Sequence, residues 1–319
     1  MKWCVMNKQP GKPAMFWSKA GDAVNGENVG ENLNAENGTV ICGLCHHNCK
    51  IPENGAGFCG VRENCGGKLY ALGYGLVSSI ALDPVEKKPL RMFCPGKRVL
   101  SIGGYGCNLR CPFCQNFEIA QIAAGGARGQ TSLGRRRNAK IVPPELIADL
   151  ALNSVTDGNI GVAYTYNEPF MGYEYIYDCA KLVRGAGLLN VLVTNGCVSR
   201  EPLELMLPLI DAVNIDLKSF SEAFYKKIGG CLDTVKNTIK SAAAGCHAEI
   251  TTLVIPGEND SEDEIAALAG WLASVNADMP LHLTRFFPRY KYSGREPASV
   301  QTVHRLGDAA KKYLKNVFT

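Results

Sequence analysis

The chain has 319 residues, with 34 Lys and Arg against 30 Asp and Glu, a net charge of +4, 46% hydrophobic and 20% charged residues. That is an ordinary globular composition, long enough for two domains or for one large α/β domain with an appendage, and able to bury a sizeable core. So small a positive excess does not by itself argue for nucleic acid. No apolar run of about 18 residues is present to span a membrane, and no apolar signal core follows Met1.

The outlying number is 14 cysteines, ten of them within the first 114 residues. Length and cysteine share rule out a small secreted disulfide scaffold. Without an export signal, clustered cysteines point to metal binding or redox chemistry in a reducing compartment, and the cytoplasm is the expected location.

In chain order, residues 18–40 are rich in Gly, Asn and Glu and read as a loop or linker. A cysteine cluster follows, from Cys42 to Cys65. Residues 68–82 have strand composition, with Gly73 and Gly75 as turn points. From residue 98 short apolar strands alternate with helical patterns. Strands are expected at 98–103, 159–165, 189–194, 212–218, 247–254 and 281–287, and helices at 143–155, 170–185, 201–210, 232–244, 262–275 and 299–315. Pro143 and Pro144 open one helix, and Asp260-Ser261-Glu262-Asp263 loads another helix start with acid. Six β/α units predict an α/β fold: a partial (β/α)6 TIM-like barrel at 98–319 behind an N-terminal cysteine-rich module at 1–97. An open doubly wound sheet is the rival.

The first barrel strand runs into Gly103-Gly104-Tyr105-Gly106-Cys107-Asn108-Leu109-Arg110-Cys111-Pro112-Phe113-Cys114. Three thiols in eight residues, at the C-terminal end of a strand, stand where barrel enzymes build their sites. Thiolates ligate iron–sulfur clusters, and a four-iron cluster given only three keeps one iron open to a small molecule. Zinc with a fourth ligand from elsewhere is the bland alternative.

This CxxxCxxC loop, with an aromatic before its third cysteine, resembles the signature of the radical S-adenosylmethionine (radical SAM) enzymes. The resemblance implies that Cys107, Cys111 and Cys114 hold a [4Fe-4S] cluster whose open iron takes S-adenosylmethionine. Reductive cleavage of the sulfonium would then yield a 5′-deoxyadenosyl radical that abstracts hydrogen from a substrate. It also assigns cofactor contacts to Phe113 and to the strand ends. Asn167-Glu168 stand in the place of a family Gly-Gly-Glu motif whose two glycines are absent here. Thr194 and Asn195 end the third strand and Asp216 and Lys218 the fourth. Ile255 opens a turn that packs on adenine. Glu168 as a helix cap and Asp216–Lys218 as a structural ion pair are the plain readings beside these. His282 and Arg285 are candidate substrate contacts, with a hydrogen-bonded core histidine as the alternative.

Upstream, Cys42, Cys45, Cys49 and Cys59 suit a second metal site, zinc or iron–sulfur, with Cys65 a looser candidate. CxLCxxxC followed by GFCGVREN, LDPVEKKPL and GCNLRCPFCQN resembles the pyruvate formate-lyase-activating-enzyme-like group, in particular the radical SAM member of the AmmeMemoRadiSam system. That resemblance implies a protein or peptide substrate and an external one-electron reductant of flavodoxin or ferredoxin type. Glycyl-radical activases usually carry their extra cysteines after the three-cysteine loop, whereas here they precede it. The reading from another class is a zinc-ribbon protein binding nucleic acid through Arg128, Arg135, Arg136, Arg137 and Lys140.

Overall fold

A computed structural model describes residues 11–21, 38–122 and 141–319. Most of the 18–40 linker and the Arg/Lys stretch at 128–140 lie outside the described residues.

The N-terminal part is built from short antiparallel pieces. Strands β1 (Lys12–Pro13), β6 (Lys68–Ala71) and β5 (Arg62–Cys65) form one three-stranded sheet; β2 (Trp17–Lys19), β3 (Val40–Cys42) and β4 (Cys49–Ile51) form another. Strands this short bury little apolar surface of their own, so the module leans on the barrel. Its main clamp is Arg62, whose guanidinium donates to Glu174 Oε1 at 2.8 Å and to the Met15 carbonyl at 2.6 Å. Both side chains of the Arg62–Glu174 pair are 1% exposed. Removing one member of such a pair strands a buried charge, which makes the contact an obligatory one.

The barrel sheet has eight strands in the order β14-β13-β12-β11-β10-β9-β8-β7. The six parallel strands expected from sequence are present as β8 (Arg98–Gly103), β9 (Asn159–Thr165), β10 (Leu189–Thr194), β11 (Ala212–Asp216), β12 (His247–Val254) and β13 (Leu281–Arg285). Two edge strands were not anticipated as members of the sheet. Strand β7 (Ser79–Pro84) pairs antiparallel with β8, and β14 (Val317–Phe318) pairs parallel with β13. The sheet therefore recruits residues upstream of position 98. The stretch 68–82 divides between β6 and β7, as Gly73 and Gly75 suggested.

Parallel neighbours need crossovers, and the helices supply them. They are α1 (Phe117–Ala120), α2 (Pro144–Asn153), α3 (Tyr173–Gly185), α4 (Arg200–Met206), α5 (Glu222–Lys227), α6 (Leu232–Gly245), α7 (Glu262–Val275) and α8 (Val300–Ala310). Ser221, Ser261 and Ser299 cap their helices by accepting the amides of Phe224, Glu264 and Thr302. The last helix ends at Ala310, short of the expected 315, because the chain turns there to lay β14 on the sheet edge.

Alternation along each strand separates two environments. Ile102, Tyr164, Leu192, Val213, Ile215 and Ile250 pack among the helices. On the other face, Val99, Ala163, Val191 and Ala212 meet Val85 and Leu90 at the N-terminal end of the barrel. Residues 85–93 thus plug that end, leaving the C-terminal strand ends as the working face.

Candidate active site

Strand β8 delivers the three-cysteine loop to the working face. Gly106, at φ +84, has no room for a side chain, because a Cβ there would stand 2.8 Å from the Cys59 carbonyl oxygen. Asn167 binds the loop from β9: its Oδ1 accepts the Gly104 amide at 2.9 Å and its Nδ2 donates to the Gly106 carbonyl at 2.9 Å. Asn108 ties it to β10, donating to the Cys197 carbonyl at 2.7 Å and accepting from Asn195 Nδ2 at 2.9 Å. The loop is held by side-chain bonds on both flanks, so the thiols are positioned before any ligand arrives.

Cys107, Cys111 and Cys114 are unbridged and electrostatically coupled to one another. The Leu109 amide donates to Cys107 Sγ at 3.3 Å, and Asn195 Nδ2 approaches the same sulfur at 3.7 Å. Burial pushes the Cys111 thiol up to about 12, with Lys218 pulling the other way. A buried thiol of this kind loses its proton when a metal takes it as ligand, which suits a coordinating set. Among the described residues, no group of three or more His, Cys, Asp or Glu side chains is arranged to hold a single metal ion.

Charged and polar side chains close round the loop from successive strand ends. Glu168 is buried; its Oε1 accepts Thr194 Oγ1 at 2.8 Å and the Phe170 amide at 3.2 Å, while Oε2 accepts the Asn195 amide at 2.8 Å. Burial raises its carboxyl to about 7, against the lowering effect of those hydrogen bonds. Glu168 therefore caps the turn after β9 and also faces the Cys107 thiol. Asp216 and Lys218 form an ion pair at 2.8 Å beside Cys111 and Cys114. Burial works against the Lys218 charge, but Asp216 and the nearby thiols outweigh it and hold the ammonium above its ordinary range.

Phe113 is buried, its ring 6.1 Å from those of Phe224 and Tyr292. Ile255 is buried at the end of β12, where its amide donates to Asn259 Oδ1 at 2.7 Å. The same Asn259 donates to the Lys218 carbonyl at 2.8 Å, and the Lys218 amide donates to the Tyr225 hydroxyl at 3.0 Å. Asn259 and Tyr225 are positioning residues that sequence reasoning passed over. Only the polar type of Asn259, inside Pro256-Gly257-Glu258-Asn259-Asp260, hinted at a turn-locking role. Asn108 stood in plain view between two cysteines.

His282 does not join the site. Its Nε2 lies 2.6 Å from Glu249 Oε2 deep in the barrel, the core-histidine alternative, and Arg285 donates to the Ala298 carbonyl at 3.0 Å. In the N-terminal module Cys42 and Cys49 are register partners across β3 and β4. Cys45 and Cys59 are electrostatic neighbours of both. Cys65, which is disulfide-bonded, is not among the groups acting on Cys45, Cys49 or Cys59.

Comparison with known proteins bears directly on this geometry. The sequence profile of the radical SAM superfamily matches residues 101–269, which hold the loop and strands β9–β12. An uncharacterized protein of Methanocaldococcus jannaschii, MJ0808, is 38% identical over 283 residues, 88% of this chain and 80% of that protein. The pyruvate formate-lyase-activating enzyme of Listeria monocytogenes is 25% identical over 129 residues, 39% of this chain and 48% of the enzyme. Among solved structures, S-adenosylmethionine-bound SuiB of Streptococcus suis is matched at a TM-score of 0.48 and 16% identity, over 67% of this chain and 47% of that one. The profile, which covers more than half of the chain, places it: the chain belongs to the radical SAM superfamily and is an enzyme of that type, using a [4Fe-4S] cluster and S-adenosylmethionine.

Proposed function

We propose that this chain runs its radical reaction at the mouth formed by the ends of β8–β12, on a protein or peptide substrate. When bound, the cluster and S-adenosylmethionine supply one-electron cleavage of the sulfonium and a 5′-deoxyadenosyl radical able to take a hydrogen atom. The chain's own residues do the rest. Cys107, Cys111 and Cys114 would hold the cluster. Glu168 and Asn195, beside Cys107, meet the cofactor's amino group, with Thr194 and Asn167 fixing them. Asp216 and Lys218 offer an acceptor and a cation to its hydroxyl and carboxylate groups. Phe113 and Ile255 line its apolar side. The carrying observation is the convergence of Glu168, Asn195, Asp216 and Lys218, from three different strands, on one three-thiol loop.

Support for the substrate class comes from the relatives named pyruvate formate-lyase-activating enzyme and isethionate sulfite-lyase activating enzyme, names that describe action on another enzyme. This chain spans about half the length of each (48% and 52%). Activation of a glycyl-radical enzyme is therefore the second reading, and the placement of the extra cysteines before the loop sets this chain apart from a plain activase. A flavodoxin or ferredoxin supplies the electron, and Cys42, Cys45, Cys49 and Cys59 bind a second metal or cluster.

The test is anaerobic reconstitution with iron and sulfide, followed by reductant and S-adenosylmethionine. Formation of 5′-deoxyadenosine is expected, with deuterium passing from a labelled protein or peptide into it. A cluster-loaded chain that produces none would sink the reading.

A further inference from the structure

The turn that brings Asn167 and Glu168 to the three-cysteine loop rests on a strained residue. Tyr166, the first residue past β9, stands at φ +71. Across it the Asn167 amide donates back to the Thr165 carbonyl at 3.0 Å. A bond closed over one residue with that φ is the rare and strained form of γ-turn. Glycine enters that region freely, whereas a tyrosine does so against the repulsion of its own Cβ. Backbone of this kind persists only where the surrounding contacts over-determine it.

Hydroxyl, ring and carbonyl of Tyr166 are each held. The hydroxyl donates to Asp83 Oδ2 at 2.7 Å, and Asp83 is buried. That carboxylate is itself fixed, with Lys88 Nζ on the same oxygen at 2.7 Å and Lys87 Nζ on the other at 2.8 Å. The ring lies against the end of β8, where a Cβ on Gly103 would come within 2.9 Å of it. The buried Lys88 ammonium stands 4.6 Å from the ring centre, an attractive placement for a cation over an aromatic face. The carbonyl accepts Asn116 Nδ2 at 2.7 Å, and the Asn116 amide donates to the Cys114 thiol. Tyr166 therefore links the barrel floor, at Asp83 and Lys88, to the third cysteine of the loop.

What the turn achieves is direction. Extended backbone at 166 would carry the chain onward along the line of β9 and away from the loop. The γ-turn instead folds Asn167 onto Gly104 and Gly106, and brings Glu168 to Thr194, Asn195 and the Cys107 thiol. Resting on the reading that Glu168 meets the cofactor's amino group, we infer that Tyr166 is a positioning residue for S-adenosylmethionine. Its hydroxyl, tethered to Asp83, offsets the strain of the γ-turn that aims Asn167 and Glu168 at the cofactor. Asp83 and Lys88 act on cofactor binding through Tyr166, as the fixed anchor of that tether.

The experiment compares the full chain with Tyr166→Phe, Tyr166→Ala and Tyr166→Gly, each reconstituted anaerobically and left unreduced so that nothing turns over. S-Adenosylmethionine is the probe, and its Kd is read by equilibrium dialysis. Tyr166→Phe keeps the ring and loses the tether, and should raise Kd about tenfold at unchanged iron content. Tyr166→Ala should raise it at least as far. Tyr166→Gly loses ring and hydroxyl alike but adopts the turn without strain, and should stay within about threefold of wild type. A residue that only filled space would give the opposite order, with glycine weakest. In the iron-free chain, deuterium uptake over residues 165–168 should rise in the Phe and Ala variants and stay near wild type in the Gly variant. Glu168→Gln, measured alongside, should raise Kd more than Tyr166→Phe does. Wild-type affinity in Glu168→Gln overturns the cofactor reading and the inference with it. With Glu168→Gln weakened, three results overturn the inference alone: unchanged affinity or deuterium uptake in Tyr166→Phe, glycine binding more weakly than alanine, or iron lost in step with affinity.

Discussion

The two ends of the barrel use buried charge in opposite ways. At the floor, Glu249 accepts hydrogen bonds from the Arg91 and Met92 amides at 3.0 and 2.8 Å, and it meets His247 and His282 at 2.8 and 2.6 Å. Burial tends to raise its carboxyl, but those partners outweigh burial and hold it at about 2. Every lone pair is answered from within the chain, and segment 85–93 is stitched shut against the strands. At the mouth, three thiols stand together with a carboxylate raised to about 7 and a lysine bound to a single carboxylate. Satisfied networks stabilise a fold; shifted groups gathered in one place await a ligand.

The comparison can be broken most sharply at the loop. Cys111→Ala should bring 5′-deoxyadenosine formation to background and strip iron from the catalytic site, as read by product chromatography and iron analysis. Glu249→Gln should leave that activity intact and cost about 2–3 kcal/mol of stability, because two charge-assisted bonds to histidine become weaker neutral ones. The acid side of the stability profile supplies the sign. A carboxyl held at about 2, against an ordinary value near 4.5, contributes stability above the ordinary value and loses it as pH falls toward about 2. Thermal unfolding of wild type and variant should therefore converge over that window and stay apart above it.

Smaller effects sharpen the contrast. Lys218→Ala should lower kcat/KM for S-adenosylmethionine about tenfold, equivalent to roughly 1.4 kcal/mol, while iron content holds. Asn167→Ala releases the Gly104 amide and Gly106 carbonyl from their shared partner. A loss of about 1 kcal/mol in unfolding free energy is expected, with slower cofactor cleavage as the loop loosens.

The floor was the less legible region. LDPVEKKPL entered the sequence reading only through a family resemblance, which did not say that Lys88 would be buried against Asp83 at 2.7 Å. Burying a lysine is unfavourable without a carboxylate; Asp83 stands only five residues away, but the second partner that fixes it, the Tyr166 hydroxyl donating at 2.7 Å, comes from beyond the end of β9 and leaves no local trace. Glu249 was equally silent, and the core reading of His282 named no partner, since the two meet across neighbouring strands.

The sequence by itself determined the six β/α units and the spacing of the three-cysteine loop. Period-two strands, helix starts and the spacing of Cys107, Cys111 and Cys114 are local properties, written within a few residues of where they act. Tertiary structure alone decided how the parts combine. It placed β7 and β14 on the sheet edges, locked Ile255 to Lys218 through Asn259, and brought Cys59 against Gly106. Those contacts join residues tens of positions apart, and only closure of the fold can select among the partners a polar side chain has available. Spacing picked seven of the 14 cysteines out as two sets, and the fold brought Arg110 within the influence of both.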